Sequence, residues 1–400
     1  MNKLLERKSY NVYLDSTEIR CKSSSVLTSN IYKYLEENNH SIVNSMKHAD
    51  YIILNTCGAD SFREKTSIKR ISLYKKNSKK SVKIIFIGCL TKINKDLLDD
   101  YSSDIITIQN NDSLDDIFLN NIKYNEVNVR YIDNRIYDKL LIPLHDGAFG
   151  IFSKRFEKVL RGNWQSKRFH VEISQGCAMN CSFCAIPNAR GRKVTSREIN
   201  SIIEDIDNHY KDNKIITLVA DDCGSYGTDN DSSLPELLHQ INSKYPRKPI
   251  DIYYINPFWL EKNEEDYFEV FKELNIASIN ISIQSGSNRI IKKMNRRYDM
   301  CNVKKIIKKI RKQSPGTVII THMMIGFPGE RFKDFLYTLS AISYFDFCNP
   351  IIYTDRPGTK SFDMQDKNSY LEKVIKHKIL TLLCIAGFLF RKSIRIIRRC

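Results

Sequence analysis

Along the chain, short apolar runs alternate with polar stretches of helical period, and the runs are too continuous for sheets with one wet face. In the first hundred residues NVYLD (11–15), YIILNTCG (51–58) and VKIIFIGCL (82–90) read as strands buried on both faces, with helical patterns between them. That is the βαβ rhythm of a small doubly wound parallel sheet. Around His170 a second series begins: FHVEIS, KIITLVA, IDIYYI, SINISI, VIITHMMIGF and NPIIYT, each followed by a helical pattern or a turn. Six parallel strands alternating with helices predict a partial (β/α)6 barrel, whose chemistry belongs at the carboxyl ends of its strands. The expected fold class is α/β. An N-terminal doubly wound parallel-sheet domain spans 1–110, an end piece and linker 111–165, the partial barrel 166–366, and a basic helical segment 367–400.

Composition narrows the function classes. A chain of 400 residues exceeds one small module, and 42% hydrophobic with 27% charged residues excludes wholesale disorder. Lys and Arg number 63 against 46 Asp and Glu, a formal charge of +17 that would attract phosphate polyanions or an acidic membrane surface. Lys, Asn and Ile are abundant throughout, so a compositional bias explains that surplus equally well. The N-terminal MNKLLERKSYNVYLD lacks the apolar core of a signal peptide, and no stretch reaches the roughly 18 apolar residues of a membrane span, so a cytoplasmic location is expected. The run ILTLLCIAGFLF (379–390), followed by RKSIRIIRRC, is too short to cross a bilayer and reads as a core helix with a basic end.

Eleven cysteines in a reducing compartment point to metal or redox chemistry rather than a disulfide framework. Cys57 and Cys89 end two predicted strands and Cys21 follows the first, which is where ligands gather in open α/β sheets. Each alone could be a buried structural thiol; three at corresponding strand ends favour a site. The sharpest signal is GCAMNCSFC, with Cys177, Cys181 and Cys184 after the first barrel strand. Among eleven cysteines that spacing arises by accident in fewer than about one case in a hundred. Three thiolates from one loop suit a cubane iron–sulfur cluster with one iron open to an external ligand; a zinc site is the rival, with no fourth protein ligand nearby.

The Cys-x3-Cys-x2-Cys loop, with Phe183 before its last cysteine and a (β/α) series behind it, resembles that of the radical S-adenosylmethionine (SAM) enzymes. Further segments are similar to the methylthiotransferases of that superfamily: IPNARGRKVTSR (186–197), IQSGSNRIIKKMNRRY (283–298), MIGFPGE (324–330) and RPGT (356–359). The resemblance reaches the first domain through LNTC and IGC around Cys57 and Cys89. It implies two 4Fe-4S clusters. The one on Cys177, Cys181 and Cys184 would cleave SAM to a hydrogen-abstracting 5′-deoxyadenosyl radical, while the one on Cys21, Cys57 and Cys89 would hold the sulfur that is methylated and transferred.

By the same resemblance, Phe183, Ser285, Gly286, Gly326, Gly329 and Glu330 are candidate cofactor-binding positions, the glycines lying in turns where backbone can approach a ligand. A tight strand-to-helix turn is the plain alternative for each. Arg190 and Arg297 match family positions, and ADDCGSYGTD (220–229) resembles a segment on the substrate side, so Arg190, Asp222 and Arg297 are candidate substrate residues. His322 stands where the family usually carries an acid and is expected to be a satisfied core histidine.

The function expected is replacement of an unactivated C–H by C–S–CH3, first on a tRNA adenosine, with a peptide or protein side chain as the alternative. A non-catalytic iron–sulfur scaffold is a third reading. The charge favours tRNA; the family's small C-terminal β-barrel, which grips RNA and for which the chain leaves no room, favours the alternative. A reductant such as flavodoxin or ferredoxin is an expected partner, and no transmembrane segment is expected.

Overall fold

The structure, a computed structural model, describes residues 9–18, 21–133, 135, 167–211 and 214–397, with only the backbone of 389–397. Most of the expected linker and the side chains of the RKSIRIIRRC tail lie outside the described residues. By its internal packing the chain divides into two units, Met1–Ser166 and Lys167–Cys400.

The first unit is built on a parallel sheet of β1 (Asn11–Ser16), β2 (Ser41–Ile42), β3 (Tyr51–Thr56), β4 (Lys83–Gly88) and β5 (Ile106–Thr107), in the order β2-β1-β3-β4-β5. Its apolar strands are continuous because both faces are covered. Ile53, Ile85 and Ile87 point to one side, against Ile31 and Leu35 of helix Lys22–Glu37. Ile52, Leu54, Ile84 and Phe86 point to the other, against Ile71 and Tyr74 of helix Ser61–Asn77. Leu114, Phe118, Tyr124, Val127 and Val129, in the stretch read from sequence as an end piece, complete the first of these cores. The strand order reverses between β1 and β3, which makes the crevice beyond their carboxyl ends the natural ligand site. Cys21, Cys57 and Cys89 follow β1, β3 and β4.

In the second unit β6 (Arg168–Glu172), β9 (Ile215–Val219), β10 (Ile250–Ile255), β11 (Ile276–Ile281), β12 (Val318–Ile325) and β13 (Phe347–Ile352) form a six-stranded parallel sheet in the order β13-β12-β11-β10-β9-β6. Alternate residues such as Ile216, Leu218, Ile279 and Ile319 are fully buried. Truncating one of them to alanine should cost about 2–5 kcal/mol. The other set is polar: Asp251 pairs with Arg168 at 2.5 Å and accepts from Ser278 Oγ at 2.6 Å and Thr217 Oγ1 at 3.1 Å. Helix caps follow the sequence chemistry, with Ser233, Asn256 and Asp299 accepting backbone N–H bonds at three helix starts.

The C-terminal apolar run is part of one helix, Tyr370–Ile397, but not a core helix. It lies along the edge strand β13, where the Phe347 and Phe388 rings are 4.7 Å apart and His377 Nε2 is 3.3 Å from Pro350 O. One face only is therefore covered: Leu380 is buried while Leu382 is 67% exposed. Among the described residues no helix is long and apolar enough to cross a membrane.

Candidate functional site

The barrel cysteines lie on an excursion whose two ends are clamped. β7 (Ser174–Gln175) pairs antiparallel with β8 (Thr195–Ser196), closing residues 176–194 into a loop directly after β6. Gly176 starts it at φ +80°, and a Cβ there would stand 2.2 Å from Lys193 O, so only glycine fits the clamp. Gly176 N–H donates to Asp221 Oδ2 at 3.0 Å, and Arg190 binds Asp221 Oδ1 at 2.6 Å, tying both ends of the loop to the end of β9.

The middle of the loop is pinned to the end of the short helix Asn288–Lys293 that follows β11. Ser182 donates to Met294 O through its backbone N–H at 2.9 Å and to Lys293 O through its hydroxyl at 3.1 Å. Asn295 Nδ2 donates to Asn180 O at 2.6 Å. Phe183 packs into a buried cluster of Ile290, Met294, Met324, Phe327 and Tyr353, edge-on to Phe327 at 6.4 Å. The aromatic before the last cysteine is thus an anchor that sets the loop on the barrel mouth.

Cys177, Cys181 and Cys184 are close enough to repel one another's charged forms. Burial and the neighbouring Asp222 push the Cys177 thiol up, and burial with Cys181 pushes Cys184 up to about 12. The sulfurs are nonetheless furnished with donors: Met179 N–H lies 3.4 Å from Cys177 Sγ, and Ile186 N–H bonds Cys184. Such a set is poorly ionised by itself and well prepared for a cationic group that takes thiolates. No three Cys, His, Asp or Glu side chains among the described residues gather to hold a single metal ion. A cubane takes each thiolate on a different iron, so its ligands must be neighbours without converging on one point.

Asp222, a candidate substrate residue, is buried beneath this loop. Its carboxylate accepts from Asn256 N–H at 2.9 Å, Ser225 Oγ at 2.8 Å and Trp259 Nε1 at 2.8 Å, and lies 3.8 Å from Cys177 Sγ. It holds the ligand loop rather than facing a substrate, and burial, only partly offset by these donors, raises its pKa. Arg190 is likewise committed to Asp221, while Arg297 is exposed.

The turn residues divide. Ser285 and Gly286, expected at the cofactor, are turned into the helix Phe332–Ala341: Gly286 N–H donates to Thr338 Oγ1 at 3.0 Å, and a Cβ on Gly286 would stand 2.2 Å from Tyr337 O. Theirs is a packing role. Gly326 N–H donates to Glu330 Oε2 at 3.0 Å, Gly329 N–H to Asp366 O at 2.5 Å, and Lys376 Nζ reaches Glu330 at 3.3 Å. Glu330 Oε1 is buried without a hydrogen-bond partner among the described residues, as is Gln284 Oε1, on a residue held at φ +65°. Unpartnered buried acceptors and a strained non-glycine beside the strand ends fit a ligand with amino or hydroxyl donors.

Two residues were not legible as site residues. Gln284 sits inside a turn that sequence assigns to its glycine and serines. Arg296 turns inward: its Nη1 donates to Cys181 Sγ at 3.6 Å, its Nη2 to Ser282 O at 2.5 Å, and its guanidinium lies 5.2 Å from the Tyr298 ring. His322, by contrast, lies 5.2 Å from the Tyr254 ring, and burial lowers its pKa to about 4, so its imidazole is neutral.

In the first unit, Cys21 and Cys89 stand at the starts of helices Lys22–Glu37 and Leu90–Ile93. Cys57 is buried; its thiol is pushed up by burial first and then by Cys21, with Cys89 adding to it and Ala59 N–H opposing it. The structure therefore brings all three together. Arg63 acts on Cys57 as well, but it is held between Glu18, at 2.5 Å, and Asp60.

Residues 171–342 match the Radical SAM superfamily, and residues 16–107 match an uncharacterized protein family, UPF0004. Over 354 residues, 85% of this chain, the sequence is 30% identical to the ribosomal protein uS12 methylthiotransferase RimO of Syntrophomonas wolfei, of which it covers 76%. It is 26% identical over 348 residues to a probable threonylcarbamoyladenosine tRNA methylthiotransferase of Archaeoglobus fulgidus, covering 85% of this chain and 76% of that one. In fold it is similar to the radical SAM methyltransferase TsrM of Kitasatospora setae, solved with cobalamin and a [4Fe-4S] cluster bound. The TM-score is 0.57 at 11% identity, over 89% of this chain and 77% of that one, a likeness of fold alone. The match in both units, and the extent of the likeness to the uS12 enzyme, show that the chain belongs to the radical SAM methylthiotransferases, enzymes that transfer a methylthio group.

Proposed function

We propose that this enzyme methylthiolates a protein side chain, of the kind carried by ribosomal protein uS12, rather than a tRNA adenosine. The observation that carries the reading is the 30% identity to a uS12 methylthiotransferase across 85% of the chain, against 26% to the relative named for tRNA. It reverses the order in which composition ranked the two substrates. The state of the basic residues around the barrel mouth supports it. Arg190 is bound to Asp221 and Arg197 to Asp205 at 2.7 Å. Cations spent inside the protein offer little to a phosphate backbone.

In this reading Cys177, Cys181 and Cys184 hold a 4Fe-4S cluster that, with SAM bound, supplies the hydrogen-abstracting power an inert C–H bond demands. Gly326, Glu330 and Gln284 present the acceptors and backbone that would hold SAM, and Phe183 keeps the ligand loop seated. Cys21, Cys57 and Cys89 hold a second cluster and with it the sulfur to be transferred. Asp222 and Asp221 fix the loop from below. The test is to incubate anaerobically reconstituted protein, SAM and dithionite with purified uS12 or with bulk tRNA, and to weigh the products. Exchange of one hydrogen for a methylthio group on uS12 is expected. Modification of tRNA nucleosides with uS12 untouched would return the enzyme to the RNA class.

A further inference from the structure

Of the two adjacent arginines in NRRY, only Arg296 enters the site, and its situation is unusual for a half-buried cation. No carboxylate among the described residues forms an ion pair with it. Its contacts are Cys181 Sγ at 3.6 Å, a carbonyl, Ser282 O, at 2.5 Å, and the face of Tyr298. Its Nε–H is buried with no hydrogen-bond partner among the described residues. Tyr298, whose hydroxyl donates to Ile283 O, backs the guanidinium. A guanidinium is always protonated, and holding one here with Asp222 acting on it only at a distance and no carboxylate in ion-pair contact is costly unless a further anion arrives.

We propose that Arg296 is a positioning and tuning residue for the iron–sulfur site on Cys177, Cys181 and Cys184. It fixes the Cys181 sulfur by an N–H···S bond, and its charge, in contact with no carboxylate among the described residues, raises the reduction potential there, making the one-electron reduction by a low-potential flavin or iron–sulfur donor easier. The inference rests on the cluster assignment above. Hydrogen bonds and positive charge at ligand sulfurs stabilise the more electron-rich state of such a centre, and loss of an outer-shell partner is felt without loss of a ligand. The first unit supplies the contrast. Arg63, the cation nearest Cys57, is neutralised by Glu18 and Asp60, so it cannot act in the same way.

The experiment uses full-length protein in which Cys21, Cys57 and Cys89 are changed to Ala, so that one iron–sulfur site contributes. Iron content is measured first; a parent that holds no iron would count against the cluster assignment and not against Arg296. Arg296→Gln and Arg296→Lys are then poised at the potential where the parent is half reduced, and the reduced fraction is read by electron paramagnetic resonance. Arg296→Gln is expected to lower the reduced-to-oxidised ratio about tenfold, which is about 59 mV for a one-electron couple. Arg296→Lys, which keeps the charge and loses the fork, is expected to lower it about threefold, and it carries the test should Arg296→Gln not fold. An unchanged ratio in either folded, iron-loaded variant, or loss of iron from both, would overturn the proposal.

Discussion

The two cysteine trios draw the same number of thiols from different scaffolds. In the first unit they come one each from the ends of β1, β3 and β4, so the sheet itself sets their spacing and the site exists because three strands end together. In the barrel all three come from a single clamped loop, and the spacing is set by hydrogen bonds to neighbouring turns. The electrostatics differ in the same sense. Arg63 is consumed by two carboxylates, whereas Arg296 brings its charge to Cys181 unopposed by any ion pair among the described residues. Equal sets of cysteines can thus be given unequal electrostatic surroundings by the side chains behind them.

The comparison breaks most visibly if the trios are removed in turn. Changing Cys177, Cys181 and Cys184 together to Ala should lower reconstituted iron from about eight to about four atoms per chain, and abolish both SAM cleavage and methylthio transfer. Cys57→Ala should abolish transfer alone and leave 5′-deoxyadenosine formation near the parent rate. If a folded Cys57→Ala protein loses both activities while its barrel iron is intact, the two sites do not divide the labour.

A smaller effect belongs to the carboxylate under the loop. Asp222→Ala should lower iron retention at the barrel site about 10–100-fold, as loss of an outer-shell partner does, with the first unit's iron unchanged in a chelator competition. Loss of iron from both sites alike would mean that the variant disturbs the fold and not the loop. Releasing Arg63 is milder still: Glu18→Gln should raise the reduction potential of the first unit's site by a few-fold change in reduced fraction, bringing it toward the barrel site.

The smallest expected effect is on acid stability. His322 has its pKa lowered to about 4, against about 6.5 when unfolded, because burial disfavours its charge. As pH falls through that window the unfolded chain takes up a proton that the folded barrel refuses, so stability falls with it. His322→Gln should flatten this part of the barrel's stability curve in urea titrations at pH 7, 5.5 and 4.5. A slope identical to the parent's would show that the imidazole is protonated in the folded state.

Strands buried on both faces were legible because nothing interrupts their apolar runs. β2, β5 and the β7–β8 ladder were not, since two residues carry no period. The GCAMNCSFC loop was legible by its spacing, and the partnership of Cys21, Cys57 and Cys89 by their place after strands. Arg296 and Arg297 show where reading stops. They are the same residue side by side, and only the turn between helices Asn288–Lys293 and Met300–Gln313 decides which one meets a sulfur. Gly286 shows a second reason for a glycine that sequence could not supply: a Cβ there would meet the backbone of helix Phe332–Ala341.

The order of the barrel strands has a consequence for how the chain is made. Each of β6, β9, β10, β11, β12 and β13 lies beside the one before it, so every strand leaving the ribosome meets a template already formed and closes a loop of only one βα unit. While the β6 edge stays where it formed, the growing edge moves along the sequence. It comes to rest at β13, and helix Tyr370–Ile397, the last described element to be synthesised, is what covers it. An enzyme that needs oxygen-sensitive iron put into a loop after its first barrel strand thereby keeps that loop exposed through most of its own synthesis, and the turn that pins it, at Met294 and Asn295, arrives only after four of the six strands are in place.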